Sequence, residues 1–392
     1  MESDNKNTFF EKLWWLKIIC AILVPILSIR FASPLSTVLM QSLSFSEKYR
    51  ISFDTPESKN AEDTLNKIKA EQIQEFTTMA QETTQVSTEE EEEEEEEETT
   101  TIKENAFTIS DDIKAFEKDY LAVFNSEKPY GTVEEVFFKT SGATDSVAGI
   151  HIKNATATKK PDYEALLSEG PALQISDKSL PTVLIFHTHT TESYLLADNG
   201  VFYEDFQTRS NDSDKNMIRI GEEICKILEE NGIGFIHDKT VYDESYEGAY
   251  SRSRKTVEKI LKENPSIKIV LDVHRDAIYY SDTSHCKPTA VIDDKKAAQI
   301  MIITGAEEGY ISDFPYWEDN LKFALCFQKT AEDKYPGLMK PLYFCQRKYN
   351  MDTAKCSLLL EVGTDANTLE EAVYSGYLTG KVLCDIINNH SE

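Results

Sequence analysis

From Leu180 onward the apolar positions alternate between short continuous runs and helical spacing. PTVLIFHTH (181–189) is an apolar run ending in polar groups, the pattern of a strand buried on both faces. Within Ser213–Asn231, Met217, Ile220, Ile224, Ile227 and Leu228 share one helical face, and Gly232 stops the helix. IGFIH (233–237) predicts a second strand, Tyr250–Asn264 a helix that Pro265 ends, and IKIVLDVHRDA (267–277) a third strand. QIMIITG (299–305), PLYFCQ (341–346) and CSLLLEVG (356–363) are strand-like, with a helix from about Trp317 to Asp333 among them. Thr368-Leu369-Glu370-Glu371 is a capping box that opens the last helix. Strands alternating with helices predict an α/β fold over 179–392, with a mainly parallel sheet flanked by helices.

Upstream, Asp111–Phe124 has helical character, and GTVEEVFFKT (131–140) and SVAGIHIKNAT (146–156) alternate apolar with polar residues. These make 108–178 a small α+β region. Residues 13–33, LWWLKIICAILVPILSIRFAS, are long enough to cross a bilayer as a helix, with Lys17 and Arg30 near the ends and Trp14 and Trp15 suited to the interface. The apolar stretch between Lys17 and Arg30 also fits a cleaved signal peptide. We read an uncleaved transmembrane anchor after a cytoplasmic tail (1–12), with the rest of the chain outside the cytoplasm.

Composition changes the picture mainly between 34 and 107. The 392-residue chain has a formal net charge of −28, and Glu89–Glu98 are ten consecutive glutamates. Like charges at that density repel and bury nothing, so 34–107 reads as a disordered acidic stalk. The acidity argues against nucleic acid as a partner, since phosphate binding needs clustered Lys and Arg. Seven cysteines show neither CxxC nor zinc-ribbon spacing and read as free thiols.

Three strand-like runs end in chemically capable groups: VLIF before His187-Thr188-His189, IVLDV before His274, and LLL before Glu361. If those strands are neighbours in a parallel sheet, the groups meet at one edge, where open α/β sheets bind ligands. Two imidazoles and a carboxylate are the donor set of a catalytic zinc with one position left for water, and a further carboxylate can move the proton. Each residue also has a plain structural reading. His187 and His189 can be strand-end histidines, Glu192 a helix cap, and His274 a satisfied member of a salt-bridged Asp272–Asp276 loop. Glu361 is harder to dismiss, because an unpaired buried carboxylate is costly. His151 in an alternating strand, and His237 and His285 in loops, read as structural.

HTHTTESY (187–194), YSRSRKTVEKIL (250–261), DVHRDA (272–277), KYPGL (334–338) and LLLEVGTDANTLEEA (358–372) follow one another in order. In these motifs the chain resembles the stage II sporulation protein P family of endospore-forming bacteria, over roughly residues 110–388 and in the position of the membrane segment. The resemblance implies a catalytic domain similar to zinc-dependent N-acetylmuramoyl-L-alanine amidases. It implies cleavage of the amide between muramic acid and the stem peptide of peptidoglycan during forespore engulfment, with endopeptidase activity as well. The implied partners are a lytic transglycosylase resembling stage II sporulation protein D and a further membrane protein.

Carried over by strand register, the resemblance makes His189 the first zinc ligand, His274 the later strand-end ligand, and Glu361 the catalytic glutamate. In the broader amidases a glutamate opening the next helix is the second ligand. That helix here begins Ser213-Asp214-Lys215-Asn216, so Glu192 of the HTHTTES motif takes the role. His187 is a supporting group or alternative ligand, and Arg275 a catalytic-site group that contacts a stem-peptide carboxylate. Asp365-Ala366 and the glutamate run depart from the family pattern. Two other functions stay open: a vegetative wall amidase or metallo-endopeptidase, and a non-catalytic scaffold that binds peptidoglycan.

Overall fold

The structure is a computed structural model that describes residues 107–124, 128–204 and 206–391. The expected tail, membrane segment 13–33, glutamate run and all but the end of the stalk lie outside the described residues. Among the described residues no helix is long and apolar enough to cross a membrane.

The chain opens with α1 (Asp111–Phe124), β1 (Gly131–Val136), β2 (Asp145–Val147), β3 (Ile150–Ala155) and α2 (Tyr163–Glu169). β4 (Pro181–Phe186), β5 (Val201–Phe202), α3 (Met217–Glu230), β6 (Gly234–His237), α4 (Ala249–Glu263) and β7 (Ile269–Asp276) follow. A helix-free stretch then gives β8 (Tyr279–Ser281), β9 (Ser284–Ile292), β10 (Lys295–Ala298) and β11 (Ile300–Gly305). The chain ends with α5 (Trp317–Lys334), β12 (Leu342–Cys345), a 3₁₀ turn at Met351–Thr353, β13 (Cys356–Thr364) and α6 (Leu369–Asn389).

The local chemistry explains the main boundaries. Asn216 caps α3 through its side chain onto Ile218 N, so the helix starts later than the apolar pattern alone indicates. The capping box of α6 is present in full, with Thr368 and Glu371 each satisfying the other's backbone N–H.

The large sheet has eight strands in the order β2-β3-β12-β11-β13-β7-β4-β6. β13, β7 and β4 are consecutive and parallel, so the three strand ends singled out in the sequence do lie side by side. The sheet is mixed rather than mainly parallel, which corrects the expectation: β11 runs antiparallel to β13, and β2 antiparallel to β3. The cause is the helix-free stretch after β7. A parallel return needs a crossover; without one, β8–β10 stay at the end where β7 finishes, and β11 enters from there in the opposite direction. α5 then provides the crossover that makes β12 parallel to β11.

A second sheet has the order β10-β9-β1-β5, with β8 on β9. Residues 108–178 supply β1 to this small sheet and β2 and β3 to the large one. One face of the large sheet is packed by helices into the main core, which joins Ile152, Ile302, Phe344 and Leu360 to Leu321, Phe323 and Phe327 of α5. On the other face, α4 covers the β4–β7 side through Val257, against Leu184, Phe186 and Val270. The six described cysteines are free.

Candidate metal centre

His189, Glu192 and His274 are buried, and one ligand atom from each lies within 4.8 Å of the others. Each arrives by a different local device. β7 ends in Asp272-Val273-His274-Arg275, where alternation puts Asp272 and His274 on one face and Arg275 on the other. β4 gives way at Phe186 to a turn in which Glu192 N donates to His189 O at 3.1 Å, folding the motif back on itself. Asp272 ties the two strand ends together. It accepts from Thr188 N (2.8 Å) and Thr188 Oγ1 (2.7 Å), and its Oδ1 lies 2.7 Å from His274 Nε2. His274 Nδ1 faces the other way, 3.5 Å from Glu192 Oε2.

The charges follow from this packing. At His274 burial opposes the positive form, but Asp272 and Glu192 outweigh it and hold the imidazole well above the ordinary histidine range. Burial likewise works against ionisation of Glu192. Its hydrogen bond to His274 and the positive charges of Arg275, His274 and His189 prevail and bring it down to about 2. Burial lowers His189 below the ordinary histidine range. The ring stacks on Tyr246 (4.7 Å between centroids) and meets His274 edge-on (5.2 Å).

These residues fit a zinc ion. His189 Nδ1 is buried without a hydrogen-bond partner, which is costly for a bare imidazole and is relieved by a cation. Asp272 behind His274 is the carboxylate–histidine arrangement that orients a metal ligand. With two imidazoles and one carboxylate in place, a fourth position stays open.

Glu361 stands in register with His274 across β13 and β7. Its Oε2 is buried without a partner, and burial, reinforced by Asp276 and Glu192, raises the carboxyl to about 8. Tyr194 Oη donates to Val362 O at 2.9 Å and so ties the His189–Glu192 segment to β13 beside Glu361.

Two expected residues lie elsewhere. His187 is fully buried, with Nδ1 2.9 Å from Val273 O and Nε2 2.9 Å from His237 Nε2, so both nitrogens are engaged away from the cluster. Its partner His237 is the last residue of β6, not a loop residue. α3 comes close to the pair at Gly221, where a Cβ would lie 2.7 Å from His187 Nε2. Arg275, expected to reach substrate, is buried, and its guanidinium donates to Ser193 O (3.0 Å), Thr208 O (2.6 Å) and Asp276 O (3.3 Å). It positions the Glu192 segment. His285 stands on β9 between Phe202 and Tyr279, at 4.2 and 4.3 Å.

Sequence reasoning missed a second brace. Asp243 accepts from Thr191 Oγ1 at 2.7 Å and pairs with Arg209, whose Nη2 lies 3.6 Å from Glu192 Oε1. No spacing signals this pair, since it joins two loops. Asp272 did carry a signal: it precedes His274 by two residues in a strand and so shares its face.

The Stage II sporulation protein P (SpoIIP) family profile matches residues 36–387. The chain belongs to the stage II sporulation protein P family. The curated stage II sporulation protein P of Bacillus subtilis (strain 168) is 32% identical over 215 residues, 52% of this chain and 50% of that protein. The match thus spans about half the length of that relative. Among solved structures, an N-acetylmuramoyl-L-alanine amidase of Nostoc punctiforme is similar at 12% identity and TM-score 0.31, over 55% of this chain and 98% of its own. The CwlD amidase from Clostridioides difficile, solved in complex with the GerS lipoprotein, is similar at 14% identity and TM-score 0.31, over 52% and 98%.

Proposed function

We propose that this family member is a zinc-dependent peptidoglycan amidase that cuts the bond between muramic acid and L-alanine, with stem-peptide cross-links as a further target, during forespore engulfment. The reading rests on one arrangement above all: the His189–Glu192–His274 cluster with Glu361 beside it on the next strand. A zinc ion held by those three residues would supply Lewis acidity toward the amide carbonyl and an attacking water. Glu361 takes a proton from the water and returns it to the leaving amine. A carboxyl raised to about 8 accepts a proton readily, and a neighbouring cation draws it back toward the operating pH. Asp272 keeps His274 oriented, and Arg275 and Arg209 fix the segment that carries Glu192.

Family membership and the site support hydrolysis over a purely scaffolding role. The reading extends to a membrane-anchored enzyme with this domain outside the cytoplasm, working beside a lytic transglycosylase of the stage II sporulation protein D kind and a membrane partner. The test is zinc content of the purified chain together with mass spectrometry of digested peptidoglycan. One zinc per chain and peptide-free glycan with released stem peptides are expected. Products cut only within the stem peptide, or none at all, would sink the amidase assignment.

A further inference from the structure

The face of the large sheet that carries His274 and Glu361 continues outward across β11, β12 and β3, where Met301, Tyr343 and Lys153 are partly exposed while Ile303, Cys345 and Leu359 are buried. Register fixes what it presents. Glu361 pairs with Met301, and one step along, Ile303 pairs with Tyr343 and Tyr343 with Lys153, so all these side chains share one face. Ile303, Cys345 and Leu359 form a small cluster there, with Met301, Tyr343 and Tyr349 partly buried around it and no helix residue contributing. Lys153 Nζ lies 5.2 Å over the Tyr343 ring. Arg347 follows β12 and donates from Nη1 to Tyr310 Oη at 3.3 Å. Neither cation has an ion pair among the described residues, although the chain carries a net charge of −28.

We propose that this strip is the subsite for the acidic peptide arm of the substrate, with Lys153 and Arg347 binding its carboxylates. The inference rests on the amidase reading. From β7 to β3 the strip crosses four strand spacings, roughly 19 Å, or about five to six extended residues. The glycan carries no ionised group once the muramic carboxyl is in amide linkage, whereas a stem peptide carries free carboxylates, so the cations select the peptide. Arg275, buried on the opposite face, leaves the carboxylate-binding role open for these two residues.

The test uses the full chain loaded with zinc, as wild type and as the K153Q/R347Q double variant. Calorimetry measures binding of a stem peptide with two free carboxylates and of its carboxamide analogue. Wild type should favour the carboxylate form by at least about tenfold, as charge-assisted hydrogen bonds do, and the double variant should lose that preference. Equal binding of both peptides by wild type, or a preference that survives the double substitution, overturns the subsite. Peptidoglycan turnover by wild type is read separately. A preserved preference without turnover sinks the amidase reading and leaves the subsite, and turnover without preference does the reverse.

Discussion

His274 and Glu361 stand directly opposite each other on adjacent parallel strands, β7 and β13, so one residue of the cluster and its neighbouring carboxylate are set by backbone register rather than by loops. Sites built on strands hold their geometry more closely than sites on loops. This division predicts separable effects. Glu361→Gln should keep zinc at wild-type stoichiometry and lower kcat by about 10²–10⁴, the usual contribution of a general acid–base. Loss of zinc in that variant would mean that Glu361 is a ligand instead.

Zinc uptake should release protons. His274 lies well above the ordinary histidine range because Asp272 and Glu192 flank it, so the metal-free imidazole is charged at neutral pH. A histidine must be neutral to bind a metal, so the ion displaces about one proton from His274 at pH 7, and a further fraction from Glu361 as the cation draws its carboxyl down from about 8. Calorimetric titration of zinc in buffers with different ionisation enthalpies measures this directly. A binding enthalpy that does not change with buffer would overturn the charged state of metal-free His274.

Much of this centre was legible in the sequence, and the failures have specific causes. The apolar runs before His189, His274 and Glu361 identified strands, and ligand placement at strand ends did the rest. Arg275 was misplaced although the rule that places it was available: the residue after His274 in a strand faces the other way. The reversal of β11 was not legible, because it depends on β8–β10 staying at one end of the sheet, and short strands with exposed Tyr279 and Tyr280 carry little pattern. The Asp243–Arg209 brace joins residues with no common period.

Arg275→Met should destabilise the fold rather than weaken substrate binding. The substitution strips donors from Ser193 O, Thr208 O and Asp276 O and removes a positive charge near buried Glu192. Removing one partner from such a buried arrangement costs about 3 kcal/mol. Lysine should not rescue it, since a point charge cannot reach three carbonyls as a guanidinium fork does. Chemical denaturation gives the stability and steady-state kinetics the KM. A stable Arg275→Met chain with a raised KM would restore the substrate contact first expected of Arg275.

The buried His187–His237 pair contributes a loss of stability on acidification, opposite in sign to the contribution of Glu361, whose carboxyl is raised to about 8. Burial, partly offset at His187 by the Val273 carbonyl, depresses His187 to about 4, and burial together with His187 depresses His237 to about 2. The unfolded chain binds protons at both sites from about 6.5 downward while the folded chain does not, so the pair's contribution to stability is full above pH 6.5 and is lost progressively as the pH falls toward about 4 for His187 and about 2 for His237. At pH 5 the loss is about 2 kcal/mol for each histidine. His237→Phe removes one titrating group, so between pH 7.5 and 5.0 it should lose about 2 kcal/mol less than wild type by urea denaturation, whatever its stability at pH 7.5. Parallel losses in the two chains would place the acid sensitivity in other groups.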